Sequence, residues 1–171
     1  MDPGTTESAY IVYDTDDSRV IEHQIRDNHF ALESLRMYAK VPTAHGLIVL
    51  VLEAVESYGM AVGKEVFETV FWSGRFAQAW FPRQFHRMPR RTVKQHLCHT
   101  SRATDSNIRQ AIIDRFGPSK DTAIGSKKQQ GPLYGIKSHE YAALAVALTW
   151  ADQNTDAPTG DIIRPGIVAD F

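Results

Sequence analysis

The sequence has little cysteine and no long apolar run, and each shortage excludes a class of protein. Cys98 is the one cysteine among 171 residues, so no disulfide can form within the chain. The longest apolar run ends at Leu52, and it is far shorter than the roughly 20 residues that a membrane helix needs. No basic segment followed by an apolar one opens the chain, so we expect no secretion signal and a cytoplasmic protein.

A second shortage is local, because the segment from Arg83 to Arg102 contains no acidic residue. The whole chain carries a net charge of −1, yet this segment holds six Lys or Arg residues and three His residues. Such a distribution suits a phosphate backbone better than it suits an ordinary solvated surface. We therefore predict nucleic-acid binding through Arg87, Arg90, Arg91 and Lys94. A second basic loop, with Lys120, Lys127, Lys128 and Lys137, precedes His139.

Two acidic residues stand where a carboxylate is costly. Asp2 precedes a Pro-Gly turn that leads into a strand-like segment, and Glu53 ends the apolar run. A carboxylate at the tip of a buried strand is unfavourable unless another group compensates for its lost hydration. Divalent metal is a common compensation when carboxylates converge, so the pair predicts a metal-dependent phosphoryl-transfer site. The alternative for Glu53 is an ordinary solvated carboxylate at a strand end.

Three further residues compete for the same site. In a continuing strand Glu53 and Glu56 face opposite sides, and we choose Glu53 because it borders the apolar run. His139 and Glu140 begin a helix that is apolar on nearly every face, and both become catalytic candidates. Their alternatives are structural: Glu140 interacts with the helix dipole, and His139 bonds a nearby carbonyl.

Hydrophobic periodicity predicts an α/β fold, a mixed sheet flanked by helices. One domain spans 1–152, and a tail rich in Pro, Gly and Asp spans 153–171. Asp105 or Ser106 is expected to cap the third helix, and Ser138 the fourth. The aromatic series on the second helix indicates helix packing or a subunit interface. The predicted strands are 8–13, 19–27, 47–52 and 91–97, the helices 29–40, 63–80, 105–116 and 141–150, and 118–137 is an exposed loop.

Taken together, these motifs resemble the RuvC-like Holliday junction resolvases, especially the bacteriophage branch. The resemblance covers roughly residues 2–152 in the family's order, and the ordered set is more specific than any one motif. It rests on Asp-Pro-Gly-Thr at 2–5, Leu-Glu-Ala-Val at 52–55, the segment 57–66, Val-Lys-Gln at 93–95, the helix 108–116 and the segment 139–149.

The resemblance implies an RNase H-like fold, a homodimer that acts on branched DNA, and two Mg²⁺ ions, with Mn²⁺ as a substitute. By the same likeness Asp2 bridges the metals, Glu53 holds one of them, and His139 binds metal or assists the water. Lys94 matches a lysine that faces DNA. The host-cell cytoplasm is the implied location for a phage-encoded protein.

Two departures from the family pattern affect what we expect. The family has an acid three residues beyond His139, where this chain has Ala142, and Glu140 is the candidate replacement. The family's Asp ends a central strand, so the resemblance implies that the first strand is truncated here.

We therefore predict a structure-selective, divalent-metal-dependent DNA endonuclease that resolves four-way junctions. The alternative is a catalytically weak or inactive protein of the same fold that binds branched DNA. A third possibility is an RNase H-fold nuclease for RNA–DNA hybrids or linear DNA, because fold alone does not set the substrate.

Overall fold

A computed structural model describes residues 1–42, 47–57, 59 and 61–154. Four strands and six helices are assigned within these residues, in the order β-β-α-β-α-β-α-α-α-α. The strands are β1 (Glu7–Asp14), β2 (Arg19–Asp27), β3 (Leu50–Ala54) and β4 (Phe85–Pro89), and the helices are α1 (Asn28–Ala39), α2 (Lys64–Trp80), α3 (Arg90–Cys98), α4 (Asp105–Phe116), α5 (Lys120–Ala123) and α6 (Glu140–Asn154).

The sheet consists of two strand pairs joined by the first two residues. β1 and β2 form an antiparallel hairpin, and β3 and β4 are parallel. Asp2 forms an antiparallel bridge with Ala9 of β1. On the other side, the Met1 nitrogen donates to the Val51 carbonyl at 2.8 Å, and the Glu53 nitrogen donates to the Met1 carbonyl at 2.9 Å. Met1 and Asp2 thus occupy the place of a short central strand, and the predicted mixed sheet is confirmed.

Helices cover the sheet on two sides, with a hydrophobic core against each. One core, the α1–α2 core, takes Leu50 and Leu52 of β3, and the other, the α6 core, takes Val51. This alternation follows from the two-residue period of a strand and explains why β3 is apolar on both faces from Leu50 to Leu52. The α1–α2 core adds Tyr10, Leu32, Leu35, Trp72, Phe76 and Trp80, and the α6 core adds Met88, Val93, Ile108, Ile112, Leu144 and Leu148.

The predicted strand over 91–97 is wrong, because this segment forms α3. Val93, at 2 % exposure, packs into the α6 core, and Leu97 one helical turn later packs beside it. That four-residue spacing is the helical period. The strand of this region lies earlier, as β4, and ends at Pro89, the N-cap residue of α3.

Other predicted elements agree with the structure except at their boundaries. α4 begins at the predicted residue, but its cap is Thr104, which forms a capping box with Asn107. The loop predicted over 118–137 is not simply exposed, because it contains α5 and buries Leu133 and Ile136 in the α6 core. α6 runs on to Asn154, and the rest of the predicted tail lies outside the described residues. Among those residues, no helix is both long and apolar enough to cross a membrane.

Candidate active site

A buried polar network fixes the turn that follows Asp2. Gly4 is required here, since a Cβ on it would lie 2.2 Å from the Glu7 carbonyl oxygen. The Gly4 nitrogen donates to the Ser8 hydroxyl at 3.1 Å, and the Asn28 amide donates to the Gly4 carbonyl at 3.0 Å. Ser8 and Asn28 are both buried and bond each other. Asp2 is therefore anchored on a turn held by Ser8 and Asn28, two side chains that no sequence motif marks.

The acidic residues converge on one cavity of about 230 Å³. Its polar lining consists of Asp2, Glu53, Glu56 and Arg90, and its other lining residues are Pro3, Ala54 and Val55. Glu56 reaches the same cavity as Glu53 because β3 ends at Ala54 and the chain leaves the strand geometry before Glu56. The three-residue spacing places Glu53 and Glu56 on opposite faces only if the strand continues through both residues. An early end of the strand is therefore the feature that would have predicted Glu56 in this cavity.

Asp2 and Glu53 are both in surroundings that disfavour their ionised carboxylates. Burial raises the pKa of Asp2 above its ordinary value, while His139 lowers it less strongly. Burial also raises the pKa of Glu53, and the nearby Asp2 charge adds to this rise, against the opposing effect of Arg90. Only 11 % of the Glu53 side chain and 17 % of the Asp2 side chain is exposed. Additional positive charge in the cavity would relieve both effects.

Arg90 already supplies part of that positive charge. Its Nη1 lies 2.6 Å from Glu53 Oε1, and its Nη2 donates to Asp105 Oδ1 at the start of α4. The structure places the Arg90 guanidinium against two carboxylates, and the predicted DNA contact of Arg90 stays a prediction. The contact between Arg90 and Glu53 joins residues 37 positions apart, so nothing local in the sequence reports it.

His139 does not line the cavity, but it contacts Asp2 from the turn just before α6. Its Nδ1 lies 3.1 Å from Asp2 Oδ2, and 74 % of its side chain is exposed. The structure thus brings together three of the predicted site residues, Asp2, Glu53 and His139. The ring is accessible to solvent while one of its nitrogens contacts the Asp2 carboxylate.

Glu140 is the predicted site residue that the structure does not bring to this group. Its Oε1 lies 2.9 Å from His23 Nδ1, and its Oε2 accepts from the Lys137 nitrogen at 2.8 Å. Only 4 % of the side chain is exposed. Both carboxylate oxygens therefore have partners: Oε1 holds the first turn of α6 against β2, and Oε2 holds the turn that precedes the helix. The predicted catalytic role of Glu140 stays a prediction without a contact to Asp2 or Glu53.

A second, basic cavity lies beside the acidic one and shares Arg90 as a wall. Its volume is about 300 Å³, and its other lining residues are Arg91, Lys94 and Ser101. The three cations belong to one helix, α3, at positions that fall within little more than one turn. Arg87 lies on β4 and is exposed, but it lines neither cavity. An acidic cavity and a basic one are thus separated by one side chain.

The acidic cavity contains carboxylate oxygens that can bind a divalent cation, but they are not arranged as a complete metal site. Glu53 Oε2 is buried and has no hydrogen-bond partner among the residues that the structure describes. Carboxylate oxygens are suitable ligands for Mg²⁺ and Mn²⁺. Within the same described residues, however, no three His, Cys, Asp or Glu side chains are grouped as a metal site. The predicted ligands Asp2, Glu53 and His139 therefore fit the cation in kind, while Arg90 holds one of the oxygens.

Comparison with solved structures places the fold. The chain is similar to a structure of Thermus thermophilus RuvC, with a TM-score of 0.57 and 16 % sequence identity, covering 90 % of this chain and 94 % of that one. It is also similar to T. thermophilus RuvC in complex with a Holliday junction substrate, with a TM-score of 0.55 and 14 % identity, covering 91 % and 92 % of the two chains. No protein-family model and no curated protein matches it. The predicted RNase H-like fold is confirmed.

Proposed function

We propose that this protein is a structure-selective DNA endonuclease that nicks four-way junctions and other branched DNA. The observation that carries the proposal is the pairing of an acidic cavity with a basic cavity across Arg90, on a RuvC-like fold. Phosphodiester hydrolysis needs positive charge around the scissile phosphate and groups that position water. The products are a 5′-phosphate and a 3′-hydroxyl. Membership of the bacteriophage branch stays a prediction.

The residues divide this work between them. Asp2 and Glu53 provide the oxygens that would hold two divalent ions, with His139 at the solvent edge. When bound, such ions lower the pKa of a water molecule and stabilise the leaving 3′-oxygen. Arg91 and Lys94 offer cations on the neighbouring cavity, where a phosphate of the DNA backbone can bind. The scissile phosphate would then lie between the two cavities, next to Arg90.

The test is cleavage of a labelled synthetic four-way junction in Mg²⁺ and in Mn²⁺, with a linear duplex of the same sequence as substrate control. We expect paired nicks on the junction alone, no cleavage in EDTA, and loss of cleavage in Glu53→Gln. This substitution removes a carboxylate oxygen and barely changes shape, so junction binding should persist. Cleavage by Glu53→Gln at the wild-type rate would remove Glu53 from the site.

A second candidate function is branched-DNA binding without efficient cleavage. Two observations favour it: the described residues contain no finished three-ligand metal group, and Ala142 stands where the resemblance expects an acid. The same junction experiment separates the two functions, because both predict binding and only the endonuclease predicts nicks. Cleavage of RNA–DNA hybrids in preference to junctions would support the third possibility.

We also propose that the active form is a homodimer, since paired nicks follow from two sites related by a two-fold axis. α1 and α2 expose several large apolar side chains, of which Phe30, Phe67 and Phe71 are each about 60 % exposed or more. Exposed apolar surface of this extent is typical of an interaction site, and we assign it to a second copy of the chain. Sedimentation equilibrium of wild type and Phe67→Lys tests this, and a monomeric wild type would contradict it.

A further inference from the structure

Arg90 is placed to compete with any cation for Glu53. Its guanidinium contacts Glu53 Oε1 at 2.6 Å and also contacts Asp105, and it lines both cavities. About 32 % of its side chain is exposed, so it can move without disturbing either hydrophobic core. The two carboxylates that it bridges differ sharply in surroundings: Glu53 is 11 % exposed and Asp105 is 79 % exposed.

The same contact keeps the cavity from being a finished metal site. A divalent ion on Glu53 would face a guanidinium within a few ångströms, and like charges at that distance repel strongly in a partly buried cavity. The other oxygen of Glu53 is buried and without a partner in the described part of the chain. An oxygen in that condition is unfavourable, and a cation that replaced Arg90 would satisfy both oxygens of Glu53.

We propose that Arg90 is an exchangeable counterion of Glu53 that gives up this carboxylate when a divalent cation enters. Asp105 is the partner that holds Arg90 after the exchange. The proposal rests on the proposed function only in taking Asp2 and Glu53 as the metal-binding pair. Arg90 is a positioning residue in this scheme: it keeps Glu53 folded inward in the metal-free protein and leaves the cavity open to the ion afterwards.

The exchange predicts opposite effects for the two partners of Arg90. The apparent affinity for a cation is reduced by the fraction of molecules in which the site is blocked. Arg90→Gln removes the blocking charge and should tighten metal binding. Asp105→Asn removes the alternative partner, holds Arg90 on Glu53 and should weaken metal binding. If metal binding tightened only because the protein lost a positive charge, Arg91→Gln would tighten it as much as Arg90→Gln does. Arg91→Gln therefore distinguishes this nonspecific effect from the exchange.

The experiment is titration of the full chain with Mn²⁺ in the absence of DNA, followed by the electron paramagnetic resonance signal of the free ion. We expect Arg90→Gln to bind Mn²⁺ about tenfold more tightly than wild type and Asp105→Asn to bind it several-fold more weakly. Arg91→Gln carries the same change in net charge and should differ from wild type by less than about twofold, as expected of an exposed charge screened by salt. Glu53→Gln should lose the site.

The proposal is overturned if Arg90→Gln binds Mn²⁺ as wild type does, or if Arg91→Gln gains as much. It is also overturned if Glu53→Gln keeps the full affinity, because the ion would then lie elsewhere. Arg90→Lys guards against misfolding of the glutamine variant: it keeps a cation but loses the two-pronged geometry, so its affinity should fall between wild type and Arg90→Gln. Metal binding is read without DNA, so these outcomes are independent of whether wild type nicks a junction.

Discussion

The Nδ1 atom of His139 lies 3.1 Å from Oδ2 of Asp2, although 137 positions separate the two residues in the chain. Asp2 is placed by its bridge to β1 and by the turn that Ser8 and Asn28 hold. His139 is placed by the turn before α6, where Ser138 adopts a left-handed conformation with φ of 49°. The contact is therefore made by two turns at one edge of the sheet, each fixed independently of the other.

His139→Ala should slow junction cleavage by about 10²-fold while changing junction affinity little, because the imidazole contacts Asp2 and not the basic cavity. Single-turnover cleavage and binding measured in Ca²⁺ separate the two quantities. His86→Ala is the matched control, since His86 packs against Trp150 of α6 and lines neither cavity. If His139→Ala cleaves junctions at the wild-type rate, His139 has no role in catalysis.

Glu140→Ala should lower the free energy of unfolding by about 1–3 kcal/mol, because it removes a buried carboxylate that accepts from the Lys137 nitrogen and contacts the His23 ring. Glu140→Gln should cost less, since its amide oxygen can still accept from Lys137. Urea denaturation measures both changes. If Glu140→Gln is folded and stable but no longer cleaves junctions, Glu140 acts in catalysis, as the sequence resemblance implied.

The double variant Arg91→Ala, Lys94→Ala should weaken junction binding and reduce the slope of log affinity against log salt by about 2, one for each lost phosphate contact. Electrophoretic or fluorescence titration between low and moderate salt gives the slope. Arg19→Ala serves as control, because Arg19 is exposed at the start of β2 and pairs with Asp17. An unchanged slope in the double variant would exclude the basic cavity from the DNA interface.

Asp152→Asn should destabilise the protein at neutral pH by about 1 kcal/mol and have a diminishing effect in acid. Hydrogen bonds from Arg115 lower the pKa of Asp152 below its ordinary 3.8, with a smaller contribution from His96. The ionised form therefore stabilises the fold above pH 3.8, and this contribution is lost as the pH falls through the lowered pKa. The difference in unfolding free energy between wild type and variant, followed from neutral pH into acid, tests the assignment. A difference that stays constant down to about pH 2 would contradict it.

The sequence predicts those parts of the fold in which a local pattern and the tertiary contacts agree. β1, β2, α1 and α2 follow their periodicity, and Glu53 was identified because an apolar run ends at it. α3 shows the opposite case: its seven-residue core, 91–97, was predicted as a strand because only Val93 and Leu97 carry the helical pattern. The aromatic series on α2 separates into buried Trp72, Phe76 and Trp80 and exposed Phe67 and Phe71, which a helical face explains.

The sequence identifies the residues that the structure brings together, but it does not identify their contacts. Asp2, Glu53 and His139 were found through motifs that stand in order along the chain. The partner of Arg90 was not, because the contact with Glu53 depends on how α3 leaves β4. Glu140 illustrates the same limit, since its carboxylate is satisfied by His23, 117 positions away. Both contacts join residues that are far apart in the chain, so secondary-structure propensity and local spacing do not predict them.

The alternation along β3 makes this strand part of two packing units at once. Leu50 and Leu52 belong to the α1–α2 core, and Val51 belongs to the α6 core. A fluctuation that lifts α1 and α2 away uncovers one face of the strand and leaves its ladder with β4 intact. We therefore expect the amide hydrogens of β3 to be among the slowest to exchange with solvent, because their exposure requires both helical layers to separate. Glu53, at the end of that strand, is then expected to keep its place when α1 and α2 alone move away.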